Sequence, residues 1–495
     1  MRVVVVGAGL GGLGAALRLQ GAGHDVTVVE QRDKPGGRAY QLTDQGYTWD
    51  MGPSLITMPW VLEDTFAAGG LDLRSEITLK RLDPMYRIRW AGEERHFDFA
   101  DDRDRLRDEV AKFSARDAGR LDDFLAALKP VYEQGIVAAG RRPFLSLGDF
   151  ARLVPAMVRL GAVLPLHRFV SRFFEHERVR EAFSFHSLFI GGDPYRVPAI
   201  YGALVYLQVL DGGWYSEGGV YSLVEGLART LDVRCGEGVE AIEQANGRVT
   251  GVRLAGGERI AADVVVSNAD VLRAHELLGR PAPRRRLRPT MSAFLLYLGT
   301  DRTFPQLLHH TLLVGTGYRD FIRNVTRGDA LPSTYSSYVH APSRSEPAMA
   351  AGGGDSIYAL LPVPNLRSGR IDWEREAGGL RDAVMADFET TFGLTGLSAS
   401  VRVEHRMTPR DFATQLGAAH GNAFATEPTL HQSAYFRQPN RDRHVAGMYH
   451  VGGGTHPGAG IPGVLLSAEV TANLVIADHP APRTQARRRP RAARA

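Results

Sequence analysis

The 495-residue sequence contains a single cysteine, Cys235. One thiol closes no internal disulfide and builds no thiolate metal site, which points to a reducing compartment. Lysine is scarce: Lys34, Lys80, Lys112 and Lys129 are the only ones among 59 basic residues. Arginine dominance carries no binding reading by itself, and the six Arg of the last 13 positions do not make a nucleic-acid partner expected. No uninterrupted apolar run reaches the roughly 18–20 residues of a transmembrane helix. A conspicuous acid/base constellation is also missing, with no nucleophile elbow and no Cys/His pairing. His309 and His310 are adjacent, which does not place them on one ligand face, so no metal site is expected. What is present excludes a disordered chain: 44% of residues are hydrophobic, enough for two or three domains with a large core.

The N-terminus has the basic start and small residues of a secretory signal, but its glycine spacing argues otherwise. Gly7-x-Gly9-x-x-Gly12 follows the valine run Val3 to Val6 and opens a helix with Leu13, Ala16 and Leu17 at helical spacing. A second strand, Val26 to Val29, ends at Glu30. Gly7 makes the tight turn, Gly9 admits a pyrophosphate to the backbone, and Gly12 lets helix and strand pack closely. The helix start offers unpaired N–H groups to the anion, and the Glu30 carboxylate accepts both hydroxyls of an adenosine ribose. Gly36, Gly37 and Arg38 follow directly, adding close backbone and a planar cationic fork for the diphosphate. This extended pattern resembles that of the flavoproteins that include amine oxidases, protoporphyrinogen oxidase and carotenoid desaturases, which implies FAD.

The other half of such a site is expected near the opposite chain end. The run Gly452 to Gly463 follows a strand at Met448 to Val451 and precedes a helix from Val464 to Ala477. Gly454, Thr455, Gly460, Ile461 and Pro462 are its candidate cofactor residues, with Pro462 suited to the first helical turn. The run is similar to the C-terminal flavin motif of bacterial-type phytoene desaturases, with Gly453 where that family has Ala. The likeness continues through Asp50-Met51-Gly52-Pro53-Ser54, Phe183-Ser184-Phe185, Gly191 to Tyr195, Gly421-x-x-Phe424 and Gln432 to Arg437. It covers about residues 1 to 478. The departures at Met51, Ser54 and Gly453 bear on which carotenoid is preferred.

The fold expected is α/β: a discontinuous Rossmann-type FAD-binding domain with an inserted mixed-sheet substrate domain and a helical membrane-facing region. The FAD domain takes residues 1–85, 213–285 and 440–478, and the substrate domain takes 86–125 and 286–439. The helical tunnel region takes 126–212, and 479–495 form a disordered basic tail. A turn at Asn246-Gly247 joins two strands of a return to the FAD domain, where the resemblance implies that Val239 meets the adenine.

The resemblance implies FAD-dependent desaturation of phytoene towards neurosporene or lycopene, hydride passing to the flavin and a proton leaving the neighbouring carbon. The partners expected are a hydrophobic isoprenoid, a membrane lipid surface and quinone or oxygen as electron acceptor; nothing speaks to oligomeric state. The aromatics Phe183, Phe185, Phe189, Tyr195, Tyr201, Tyr206, Trp214, Tyr215, Phe424, Tyr435 and Phe436 are candidates to line an apolar tunnel. For acid/base work the candidates are Asp149 and Arg152, at i,i+3 on one helix face, and His456 within the flavin motif. Residues 151–174 are expected to dock on the cytoplasmic face of the membrane as short helices broken at Pro155 and Pro165. Leu160, Leu164 and Phe169 would be in the lipid, with Arg152, Arg159, Arg168 and Arg172 at headgroups. A later-step carotenoid desaturase or oxidase, an amine or protoporphyrinogen oxidase, and a prenyl-protein carrier resembling GDP-dissociation inhibitors stay open as alternatives.

Overall fold

The computed structural model describes residues 1–281 and 287–480. The expected basic tail, from residue 481 on, lies outside the described residues. β1 (Arg2–Val6) and β2 (Asp25–Val29) pair in parallel, joined by α1 (Leu10–Gly21). Val3 to Val6 are buried without alternation, as a central parallel strand covered on both faces requires. The sheet runs Met448–His450, Val264–Ser267, β1, β2, Asp232–Arg234, all parallel. Three distant stretches of chain therefore build one sheet.

Small residues on α1 set how closely its neighbours approach. A Cβ on Gly12 would lie 2.1 Å from the Gly7 carbonyl oxygen. One on Gly14 would lie 2.9 Å from a Leu465 methyl of the helix Ile461–Asp478. That helix begins three residues before its expected start and is long and apolar enough, by length and composition, to cross a membrane. Most of it is buried, packed against α1 and the helix Pro59–Ala68.

A second sheet has the order Val401–Met407, Ser292–Thr300, Ser356–Val363, Ser337–His340, His310–Val314, Tyr86–Trp90, His96–Phe99. It is antiparallel except where His310–Val314 runs parallel to Tyr86–Trp90. The helix Trp373–Thr390 lies across it, with Trp373 stacked on Phe294. The hairpin Val239–Ala245 and Arg248–Leu254 turns at Asn246 and Gly247, both with positive φ, the geometry an Asn-Gly hairpin turn selects.

Between Leu121 and Asp211 the chain is mostly helical, and here the docking expectation needs correction. The helix Leu147–Arg159 runs through Pro155, which sits on its exposed side four residues after the exposed Ala151; the chain breaks only at Leu160 to Pro165. Leu166, Phe169 and Val170 are core residues, Phe169 lying against Phe124 and Phe173. Leu160 and Leu164 are half-buried. The large apolar side chains exposed in this region are instead Leu145, Leu147, Val158 and Leu210.

Candidate functional site

Both sheets border one cavity of about 550 Å³. One end is walled by glycine backbone: Gly7, Gly9, Gly36, Gly37, Gly453 and Gly460. The other is walled by Phe185, Phe189, Leu207, Leu295, Leu312 and Leu360.

The glycine end is tight enough to exclude side chains. A Cβ on Gly9 would meet the Asn268 amide nitrogen at 2.9 Å, and one on Gly37 would meet the Gly9 Cα at 3.2 Å. Gly36 donates its N–H to the Ala8 carbonyl at 2.9 Å, tying the second glycine pair to the first. Gly9 caps α1 with no side-chain acceptor and no acidic residue in the first turn, so the helix N–H groups face the cavity unneutralised. Glu30 is buried; its carboxylate accepts the Ala8 N–H at 2.8 Å and the Arg32 N–H at 3.0 Å, leaving one lone pair on each oxygen.

Two guanidinium groups border this end. Arg38 is held by Asn422, whose side-chain oxygen accepts from it at 3.0 Å, and its Nε has no partner. Burial lowers its pKa, opposed by the charge of Asp270, which in turn accepts from Asn422 at 3.0 Å. Arg437, buried whereas Arg38 is half-buried, donates to the Gly453 carbonyl at 2.5 Å, and its Nε has no partner either. A buried arginine with an idle donor beside a glycine cradle fits a diphosphate, and the acceptor-ready Glu30 fits a ribose. The residues present fit FAD.

The other predicted cofactor residues divide. Val239, Gly460, Ile461 and Pro462 line the cavity. Gly12 sits behind the wall as a packing residue. Gly454 and Thr455 are not among the lining residues; Gly454 faces Val271, and Thr455 donates its N–H back to Gly452. Of the aromatics, Phe185, Phe189, Tyr201 and Phe424 line the cavity, whereas Phe183 and Tyr215 are core.

The three acid/base candidates do not reach the cavity. Asp149 and Ser146 form a capping box at the start of Leu147–Arg159, the carboxylate accepting the Ser146 N–H at 2.9 Å. The Ser146 hydroxyl and backbone hold the Asp149 pKa down, and Arg152 adds an exposed ion pair at 3.0 Å. His456 is buried against Phe144, its Nε2 on the Ala139 carbonyl at 3.2 Å; burial lowers its pKa to about 4, leaving it neutral.

Sequence reasoning missed Asn268, Asn422 and a polar cluster behind the opposite wall. Tyr338 and Ser54 line the cavity and share a hydrogen bond of 2.5 Å. Behind them His309, His310 and His340 converge, with one ligand atom of each within 4.8 Å of the others. His310 and His340 face each other across antiparallel strands, and His309 precedes the strand, so side-chain alternation does not separate it from His310. Nearby Asp50 is buried; burial pushes its pKa up to about 7, although the Val220 N–H and Tyr215 hydroxyl both donate to it.

Residues 10–476 match the family model of flavin containing amine oxidoreductases. The chain is 41% identical to a lycopene-forming phytoene desaturase of Pseudescherichia vulneris, covering 96% of this chain and 99% of that one. It is 36% identical to a neurosporene-forming phytoene desaturase of Cereibacter sphaeroides, covering 96% and 94%. Among solved structures, an oxidoreductase from Methanosarcina mazei superposes with a TM-score of 0.62 at 18% identity, covering 94% of this chain and 99% of that one.

Proposed function

The chain belongs to the flavin-containing amine oxidoreductase family, and from that premise we propose that it desaturates phytoene towards neurosporene or lycopene. It is an FAD-dependent oxidoreductase. The observation that carries the reading is the cavity, a glycine-and-arginine cradle at one end continuous with an apolar wall at the other.

FAD, when bound, supplies the hydride acceptor that a hydrocarbon C–H requires. In this reading the α1 N-terminus, Gly9, Gly36, Gly37 and Arg38 hold the diphosphate, Glu30 the ribose, and Val239 borders the adenine. Gly460, Ile461 and Pro462 present the start of the helix Ile461–Asp478 to the ring, where its dipole favours an anion by about 0.3–1 kcal/mol. Phytoene offers no carbonyl, phosphate or amine to grip. The apolar residues therefore position it by shape and exclude water, which explains why so few charged groups face that end. His456 keeps the C-terminal loop in place through Ala139, and Asp149 caps a helix; neither moves a proton.

Peripheral membrane attachment completes the proposal. Moving a hydrocarbon from lipid into protein gains little, whereas passage through water costs about 0.8 kcal/mol per exposed CH₂. Leu145, Leu147 and Val158 are exposed apolar side chains within residues 145–159, a stretch that also exposes Arg152 and Arg159 for anionic headgroups. Electrons leave to a quinone or to oxygen.

The test is expression in a phytoene-accumulating bacterium with pigment chromatography. Coloured neurosporene or lycopene is expected. Unchanged phytoene, with conversion of a supplied coloured carotenoid, would reassign the enzyme to a later step.

A further inference from the structure

Desaturation releases a proton into an apolar cavity, and the first question is which groups can take it. Glu181 lines the cavity and accepts from Trp90 at 2.7 Å and Arg178 at 2.8 Å, both at Oε2; burial raises its pKa against the Arg178 charge, and among the described residues no hydrogen bond leads from it to the surface other than that ion pair. Gln208 also lines it, but it does not titrate, and its partners Tyr86 and His186 close on one another at 2.7 Å. Tyr338 is different. Its hydroxyl reaches His310 Nδ1 at 2.5 Å as well as Ser54 Oγ, and the histidine leads further.

Resting on the desaturase reading, we propose that Tyr338 and His310 take up the substrate proton and that His340, His309 and Ser345 pass it to the protein surface. His340 Nε2 lies 3.1 Å from His309 Nε2, and His309 Nδ1 lies 2.8 Å from Ser345 Oγ. Ser345 is half-exposed, whereas all three rings are buried. The one gap lies between His310 and His340, whose rings stack with centroids 5.0 Å apart. Each ring carries one buried nitrogen without a partner there, His310 Nε2 and His340 Nδ1.

One set of neutral tautomers satisfies every contact. If His310 accepts from Tyr338 at Nδ1, its proton is on Nε2, a buried nitrogen with no hydrogen-bond partner, as is His340 Nδ1 on the stacked neighbouring ring. His340 then holds its proton on Nε2 and donates to His309 Nε2, and His309 donates from Nδ1 to Ser345. Two hydrogen-bonded segments result, Tyr338 to His310 and His340 through His309 to Ser345, with the stacked His310–His340 pair between them.

The chemistry balances along that chain. The hydride leaves one substrate carbon with its electron pair, and FAD is the oxidant. The C–H pair on the neighbouring carbon becomes the new C=C bond while its proton goes to the Tyr338 oxygen. Tyr338 passes its own proton to His310 Nδ1; His310 passes one from Nε2 to His340 Nδ1 through a bridging water that joins the two unpartnered nitrogens; His340 passes one from Nε2 to His309, and His309 one from Nδ1 to Ser345 and water. Each ring is left with its proton on the other nitrogen, and rotation of the rings restores the starting tautomers before the next turnover. Removal of hydride makes the adjacent C–H strongly acidic, so position matters more than base strength. Burial, which holds His310 well below its ordinary pKa, keeps the chain neutral at rest and prevents it from trapping the proton.

The test compares His310→Gln, Tyr338→Phe and His309→Gln with the parent holoenzyme on phytoene in liposomes. The relay predicts kcat losses on the order of 10²–10⁴-fold at unchanged KM and FAD content, and recovery of a His310→Gly variant by added imidazole. Turnover near the parent's in His310→Gln and Tyr338→Phe would overturn it, as would losses accompanied by a raised KM and no imidazole recovery. Where variants fail to fold, the parent alone decides: a curved dependence of single-turnover rate on D₂O fraction supports the chain, and no solvent isotope effect refutes it. A stoichiometric transition metal in the purified parent, lost from His309→Gln, would make the three rings ligands and overturn the relay. Failure of the parent to convert phytoene would remove the functional reading itself.

Discussion

An Asp50→Asn variant should be more stable than the parent at neutral pH and above, and not in acid. Asp50 is buried, and burial pushes its pKa from 3.8 up to about 7. The unfolded chain keeps the ordinary value. Between the two, the unfolded state has given up its proton while the folded state still holds it, so parent stability falls as pH rises across this window and levels off above about 7. A gap of about 3 pKa units at about 1.4 kcal/mol each makes the cost about 4 kcal/mol. Asparagine still accepts from the Val220 N–H and carries no charge to bury. With an unfolding entropy of about 2.1 cal/mol/K per residue over this length, the difference corresponds to about 4 °C in Tm. Calorimetry of both proteins at equal FAD saturation, from about pH 4 to about pH 8, reads it. The variant's advantage should grow from near zero to that value and then flatten. A pH-independent gap, or a parent more stable at pH 8, would refute the assignment of a buried carboxyl with a raised pKa.

Glu30→Ala and Gly9→Leu should purify folded but with little flavin absorbance, because one removes the ribose acceptor and the other drives a side chain into Asn268; full occupancy in both would contradict the cradle. Asp149→Asn should turn over phytoene as the parent does, since its carboxylate caps a helix outside the cavity, whereas loss of a true acid/base group typically costs roughly 10²–10⁴-fold. Replacing Leu145, Leu147 and Val158 together with Ser should shift the protein from sedimenting membranes to the supernatant while FAD content holds; unchanged partition would place the docking surface elsewhere.

The glycine loop, Glu30 at the end of the second strand and the Gly36-Gly37-Arg38 turn were legible as local structure because each depends on backbone within thirty residues of a valine strand. The Asn246-Gly247 turn and the strands Ser292–Thr300 and Ser356–Val363 were legible for the same reason. Apolar spacing over residues 151–174 showed amphipathic helix but not which neighbour covers it, so core Phe169 and exposed Val158 looked alike. Asp149 and Arg152 lie outside the cavity, and Ser146, three residues before Asp149, carries a capping-box signature that accounts for the carboxylate without catalysis. The histidine cluster was out of reach because it depends on the register that sets His310 opposite His340, thirty residues away, and on a bend before the strand that turns His309 inward. Asn422 reaches Arg38 across 384 positions, which no local pattern encodes.

The central claim is that electrons from a phytoene C–H enter FAD held in this cavity. Anaerobic mixing of the purified yellow holoenzyme with phytoene liposomes tests it most directly. The account predicts bleaching of the flavin together with one new double bond in the carotenoid per flavin reduced. An unbleached flavin, or one bleached by primary amines and not by phytoene, would contradict it.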